Sequence, residues 1–404
     1  MSLNAAREHA SLQTLVNETF ARLASEGLQR LNASELRDAL EPAELCFVQK
    51  ERQRAGEHSS AHRARCPPAK RSAADASCWI LGESAKSCDF NAASPILPLS
   101  SRSTLVSRYR SLGEQGRAQR TIAPMLRRGV PLILIGDSMM RRIASALSCE
   151  VARVGAGAHH YYDFTELSAQ GDLAPLRRRL AHLTQNASAG AVVLATIGLH
   201  YYPDDHLPDA LKRLGSKRVA SMLPLMRPSK LSHDASQLAG ALQSVAAECL
   251  KCAVVVLTAT MQHFASPAPY DGIFRSSLVL LDSKPETFDF RAYGFGCKPL
   301  ADGAPGEASP NQWRASLVER AMRSTPGILL APLHLLTRNW HDAHVGMTAK
   351  AFARNKRGVV NPVPDCTHYC YGPFLYEPVW WAMHSAWRSR MRAAAGATAD
   401  ERAL

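Results

Sequence analysis

Ser138 follows Gly136 and Asp137 at the end of an apolar run, and far along the chain Asp365 stands three residues before His368. These are the residue types of nucleophilic acyl transfer. A serine hydroxyl attacks a carbonyl, an imidazole takes its proton, and a carboxylate holds the ring in the useful tautomer. The run 130–135 is rich in branched side chains and too short for a globular helix, so it reads as a buried parallel strand. From Met139 to Leu147 the apolar positions fit a helix. Ser138 then falls where a strand gives way to a helix, beside unpaired N–H groups and the positive end of the helix dipole. Such donors hold the oxygen of a tetrahedral intermediate, and the backbone N–H groups of Ser138 and Gly198 are the expected pair. The plainer reading is an ordinary Ser or Asp cap at a helix start.

Asp365 and His368 would share one face of a helical turn, the imidazole presented to Ser138 and Asp365 on its other nitrogen. Two other readings of Asp365-Cys366-Thr367-His368-Tyr369-Cys370 stay open. Cys366, His368 and Cys370 are zinc-ligand types, but no second ligand pair with finger-like spacing accompanies them, and no metal is expected. The segment could also be a disulfide-stapled loop with an incidental histidine.

Gly136-Asp137-Ser138-Met139-Met140-Arg141 resembles the Gly-Asp-Ser-x-x-Arg motif of the trichome-birefringence-like proteins, within the PC-esterase group of SGNH-hydrolase-type fold. The segment from Asp365 to Cys370 is similar to that family's closing Asp-Cys-x-His-Trp-Cys motif, with Tyr369 where Trp is usual. Looser likenesses lie between them: Thr196 to Tyr202, which contains Gly198 and His200; Thr258 to Phe264, which contains His263; Gly294 to Cys297; and Arg338 with Asp342 and His344. Arg142 stands where the family has Asn, and the middle block lacks its Asn and carries an extra residue before His200. The resemblance runs from about Cys78 to about Trp387. It implies an SGNH-like parallel sheet flanked by helices and a Golgi polysaccharide O-acetyltransferase. It also offers Asp137, Arg141, His200, His263, Asp342 and His344 as substrate-binding candidates. No resident cofactor is implied; an acetyl donor such as acetyl-CoA enters as co-substrate.

The chain has 404 residues and a formal charge of +13. That length suits one large or two modest domains, and the charge suits an anionic partner, of which an acidic polysaccharide is one kind. No zinc finger or RRM core accompanies the basic residues, so nucleic acid is not expected. No run long enough to span a membrane occurs, and the first twenty residues read as a polar amphipathic stretch, so no anchor is expected in this chain. Ten cysteines and three sequons, at Asn17, Asn32 and Asn186, suit an oxidising secretory lumen, Golgi or beyond, with Cys366 or Cys370 bridged to a distant partner such as Cys297 or one of the N-terminal cysteines Cys46, Cys66, Cys78 and Cys88.

Apolar runs expected as strands recur at 130–135, 151–154, 191–197, 253–257 and 328–331. Helical stretches at 139–149, 174–185, 235–250, 311–323 and 375–392 alternate with them, the pattern of an α/β parallel sheet. The expected division is an N-terminal cysteine-containing segment 1–125 with a linker at 51–75, a catalytic domain 126–395 and a tail 396–404. Trp380, Trp381 and Trp387 are expected to pack, and the long loops 199–234 and 259–310 to wall an acceptor site. The expected activity is acetyl transfer to a glycan hydroxyl through an acyl-enzyme on Ser138. The alternatives are an acetylesterase and a non-catalytic glycan-binding protein.

Overall fold

The computed structural model describes residues 3–25, 122–153, 162–166, 173–185, 187, 190–199, 201, 228–264, 300, 312–338, 344–348, 363–369 and 373–403. In chain order the elements are α1 (Leu3–Ser25), α2 (Ile122–Arg127), β1 (Leu132–Gly136), α3 (Ser138–Arg153), β2 (Tyr162–Glu166), α4 (Ala174–Gln185) and β3 (Val192–Thr196). There follow α5 (Pro228–Glu248), β4 (Ala253–Leu257), α6 (Trp313–Arg323), β5 (Ile328–Ala331), α7 (Leu333–Thr337), β6 (His344–Thr348), β7 (Val363–Tyr369) and α8 (Pro373–Ala403). Strands β2-β1-β3-β4-β5 form one parallel sheet in that order. The α/β class expected from the alternating pattern is therefore present.

Strands β1, β3, β4 and β5 are buried along their whole length and almost wholly apolar, because both faces are covered. Leu132, Val192 and Ala253 stand side by side in register, and each begins the same two-residue alternation. Leu132 and Leu134, Val192 and Leu194, and Val255 and Leu257 enter a core shared with α1, α2, α3, α7 and α8. Ile133 and Ile135, Val193 and Ala195, and Val254 and Val256 enter the opposite core, under α4, α5 and α6. Each such Val, Leu or Ile side chain contributes about 1.5–3 kcal/mol on burial. Trp380 and Trp387 are 3% exposed and fill the first core, as expected of packing residues. Val16, Phe20 and Leu23 of α1 belong to that same core, although almost a hundred residues separate α1 from α2. Among the described residues no helix is long and apolar enough to cross a membrane.

The structure differs from the sequence expectation in several places. Residues 228–234, expected in a loop, are the first turns of α5, and residues 396–403, expected as a tail, continue α8. Residues 151–153 are the last turn of α3, not a strand: Val151 simply continues that helix. The second strand is Tyr162–Glu166, whose Tyr, Phe and Thr suit a pleated surface but whose two acids hide it from a search for apolar runs. Asp365 and His368, expected to share a helical turn, lie in β7, antiparallel to β6. Val363, Thr367 and Tyr369 favour an extended chain, and pairing with β6 supplies the backbone bonds that a single helical turn would lack.

Candidate active site

The sheet order reverses direction between β1 and β3, since β2 lies to one side of β1 and β3 to the other. At such a switch point the connections leave toward opposite faces and open a crevice beyond the carboxyl ends of the strands. Ser138, just past β1, and Gly198, just past β3, border it. The two strands are drawn tightly together there. A Cβ on Gly136 would lie 2.6 Å from Thr196 Cγ2 and 2.7 Å from Met140 Cβ, so only glycine fits beneath the serine.

Ser138 is the first residue of α3, and His368 approaches it from β7. The imidazole Nε2 lies 2.7 Å from Ser138 Oγ, across 230 residues of sequence. In the tautomer that carries its proton on Nδ1, His368 accepts the Ser138 hydroxyl proton. That is the arrangement of a nucleophile and its base.

Asp137 explains why Ser138 is available. It is nearly fully buried, and its Oδ1 accepts the Met139 N–H at 3.0 Å, so Asp137 rather than Ser138 caps α3. Its Oδ2 accepts the Leu199 N–H at 3.1 Å. One carboxylate thus ties the helix start to the turn after β3. Both oxygens are engaged within the protein, so Asp137, expected as a substrate contact, is a strut between the two halves of the site. Gly198 opens that turn at φ 130°, where a Cβ would lie 3.2 Å from Ala259 Cβ. The cap expected at the start of α3 is thus Asp137, and Ser138, the candidate nucleophile, stands beside it.

His263 is fully buried and also differs from its expected role. Its Nε2–H donates to the Arg338 carbonyl at 2.8 Å, and its own N–H donates to the Cys366 carbonyl at 3.0 Å. It braces the segment after β4 against β7. Tyr369 works with it: the phenol donates to the Met261 carbonyl at 2.8 Å and packs edge-on to the His263 ring. Gln262 reaches Thr367, the neighbour of His368, at 3.2 Å. Thr258 Oγ1 accepts the His334 N–H at 3.0 Å and meets His334 Nδ1 at 2.9 Å. Burial and the nearby Arg338 push the His334 pKa down to about 4. His334 is therefore neutral at pH 7, and its 3.8 Å approach to Glu319 is not an ion pair.

Asp365 pairs through its backbone register with Gly346 of β6. The next pair is His344 with Tyr369, so two steps along β6 span four along β7, and the ladder is irregular where Asp365 and His368 stand. The Asp365 side chain lies outside what the structure describes. His344 begins β6 opposite Tyr369. Arg141 lies in the first turns of α3, its N–H donating to the Asp137 carbonyl at 3.2 Å. His200, Asp342, Cys297 and Cys370 lie outside the described residues. Cys366 is disulfide-bonded, and Cys249 and Cys252 form a second bridge. Among the described residues no group of side chains could hold a metal ion.

Asp234 and Arg314, which the sequence did not single out, join Tyr201 and Lys230 around the Gly198 turn. Lys230 and Asp234 carry a visible signal, opposite charges four apart on a helix. Nothing in the sequence distinguishes Arg314 from other arginines.

A scan against protein-family models, a search of curated proteins and a search of solved structures find no match for this chain.

Proposed function

We propose that this chain is a serine acyltransferase that moves an acetyl group to a glycan hydroxyl. The observation that carries the reading is the 2.7 Å approach of His368 Nε2 to Ser138 Oγ at the start of a helix. The resemblance of the two flanking motifs to PC-esterases narrows it to O-acetyl transfer on an SGNH-like core. In the first half-reaction His368 takes the Ser138 proton and Oγ attacks the donor carbonyl. The tetrahedral oxygen is held by the N–H groups of Ser138 and Gly198. Collapse expels the donor's leaving group, protonated by His368, and leaves acetyl on Ser138. In the second, His368 removes the proton of a sugar hydroxyl, which attacks the acetyl carbonyl and regenerates Ser138. Asp365 is the proposed partner of His368 Nδ1. A secretory lumen suits this chemistry and the disulfides of Cys366 and of Cys249 with Cys252 among the described residues.

The test is intact-mass measurement of the protein incubated with activated acetyl esters, with and without glycan acceptors. The expected result is a one-acetyl adduct, absent from Ser138→Ala, that an acceptor discharges into an O-acetylated sugar. Acetate release unaffected by acceptor would make it an esterase. No adduct and no turnover with several donors would favour a glycan-binding protein.

A further inference from the structure

We propose that Arg314 is a positioning residue for the oxyanion turn at Gly198, acting through Tyr201; this deepens the reading of Ser138 as a nucleophile and rests on it. Arg314 is 1% exposed, and its stem runs against the turn: a Cβ on Gly198 would lie 3.6 Å from Arg314 Cβ. Its Nε–H donates to the Tyr201 carbonyl at 2.8 Å, and its guanidinium lies 5.0 Å from the Trp313 ring centroid. The Tyr201 N–H returns to the Gly198 carbonyl at 3.3 Å, closing the turn. The Tyr201 hydroxyl donates to Asp234 at 2.5 Å, and Lys230 pairs with the same carboxylate. Burial and the Asp234 carboxylate keep the phenol protonated, so it remains a donor.

Two buried ionic struts therefore grip one short turn. Asp137 ties Leu199 to the start of α3, and Arg314 with Asp234 ties Tyr201 to α6 and α5. An oxyanion donor works only when it is already aimed, because reorienting a dipole at the moment of reaction forfeits its advantage. A guanidinium is an expensive group to bury, and apolar replacements of buried ionic groups are often neutral or stabilising. Stability alone gives little reason for Arg314. Aiming the Gly198 N–H gives one.

The probe is a fluorophosphonate. Ser138 Oγ attacks phosphorus, fluoride leaves, His368 takes the serine proton, and the phosphonyl oxygen occupies the oxyanion position. Labelling is followed by intact mass on wild type, Arg314→Met, Arg314→Lys and Tyr201→Phe, with 4-nitrophenyl acetate hydrolysis alongside. Arg314→Met should slow labelling and lower kcat about 10²-fold, the cost of a misplaced donor, with KM little changed. Arg314→Lys should recover part of the loss, and Tyr201→Phe should lose about tenfold. Circular dichroism and Tm serve as the folding check. If Arg314→Met does not fold, Tyr201→Phe and Arg314→Lys decide. Folded variants that label at the wild-type rate overturn this inference alone. A wild type that does not label at Ser138 overturns the serine reading beneath it.

Discussion

At the scale of single residues, Asp137 and Ser138 divide two tasks that one side chain could not perform. Asp137 caps the helix, and Ser138 keeps its hydroxyl for His368. On the proposed reading Ser138→Ala should lower turnover on the order of 10³-fold or more with Tm unchanged, since Asp137 and not the serine hydroxyl caps the helix. Asp137→Ala should behave differently. It loses a cap and a buried charge-assisted bond, together about 2–4 kcal/mol, and activity should fall with stability. Thermal unfolding beside an activity assay separates the two; equal stability losses would contradict the division. The serine, its histidine and the glycine after β3 were legible because each follows an apolar run or sits in a compact motif. The roles of Asp137 and His263 were not, because a polar residue beside a nucleophile reads the same from sequence whether it faces substrate or backbone. Arg314 was invisible: its role depends on Tyr201, more than a hundred positions away.

Among the elements, strands β1, β3, β4 and β5 were plain from their continuous apolar runs, which only a sheet covered on both faces produces. β2 and β7 escaped because their polar residues break the run. The edge of β5 shows what helices add. Gln13 of α1 uses its amide as a strand would: its Nε2–H donates to the Leu330 carbonyl at 2.6 Å and its Oε1 accepts the Leu330 N–H at 2.8 Å. His9 meets the Ile328 carbonyl at 3.1 Å. Gln13→Ala should cost about 1–3 kcal/mol and raise hydrogen exchange at the Leu330 amide, with activity retained. Unchanged exchange at Leu330 would mean that packing of α1, not its glutamine, shields the edge. Arg390 of α8 does similar service at the end of α5. It donates to the carbonyls of Ala246 and Cys252, beside the Cys249–Cys252 bridge. Arg390→Met leaves those carbonyls unpaired and should lower stability by about 2 kcal/mol, read as a shift in the denaturant midpoint at constant m.

For the whole molecule, acid is the condition to watch. Burial lowers the His334 pKa to about 4, and burial with Arg388 and Arg128 does the same for His384. The unfolded chain binds these protons near pH 6.5, before the folded chain does, so stability is full above that pH and falls as pH drops toward 4. His334, the more deeply buried, should contribute about 3 kcal/mol across that window. Urea titrations from pH 4 to 7 should show the slope, and His334→Gln should flatten it; a wild type equally stable at both ends would contradict the assignment. The contact between α1 and β5 has a different consequence, one of timing. Gln13 and Leu330 are 317 residues apart in sequence. At ribosomal rates of roughly 5–20 residues per second, α1 waits about a quarter of a minute to a minute before its partner strand is made. Through that interval Val16, Phe20 and Leu23 have no core to enter, and a nascent chain arrested before β5 is the form in which they are most open to chaperones and proteases.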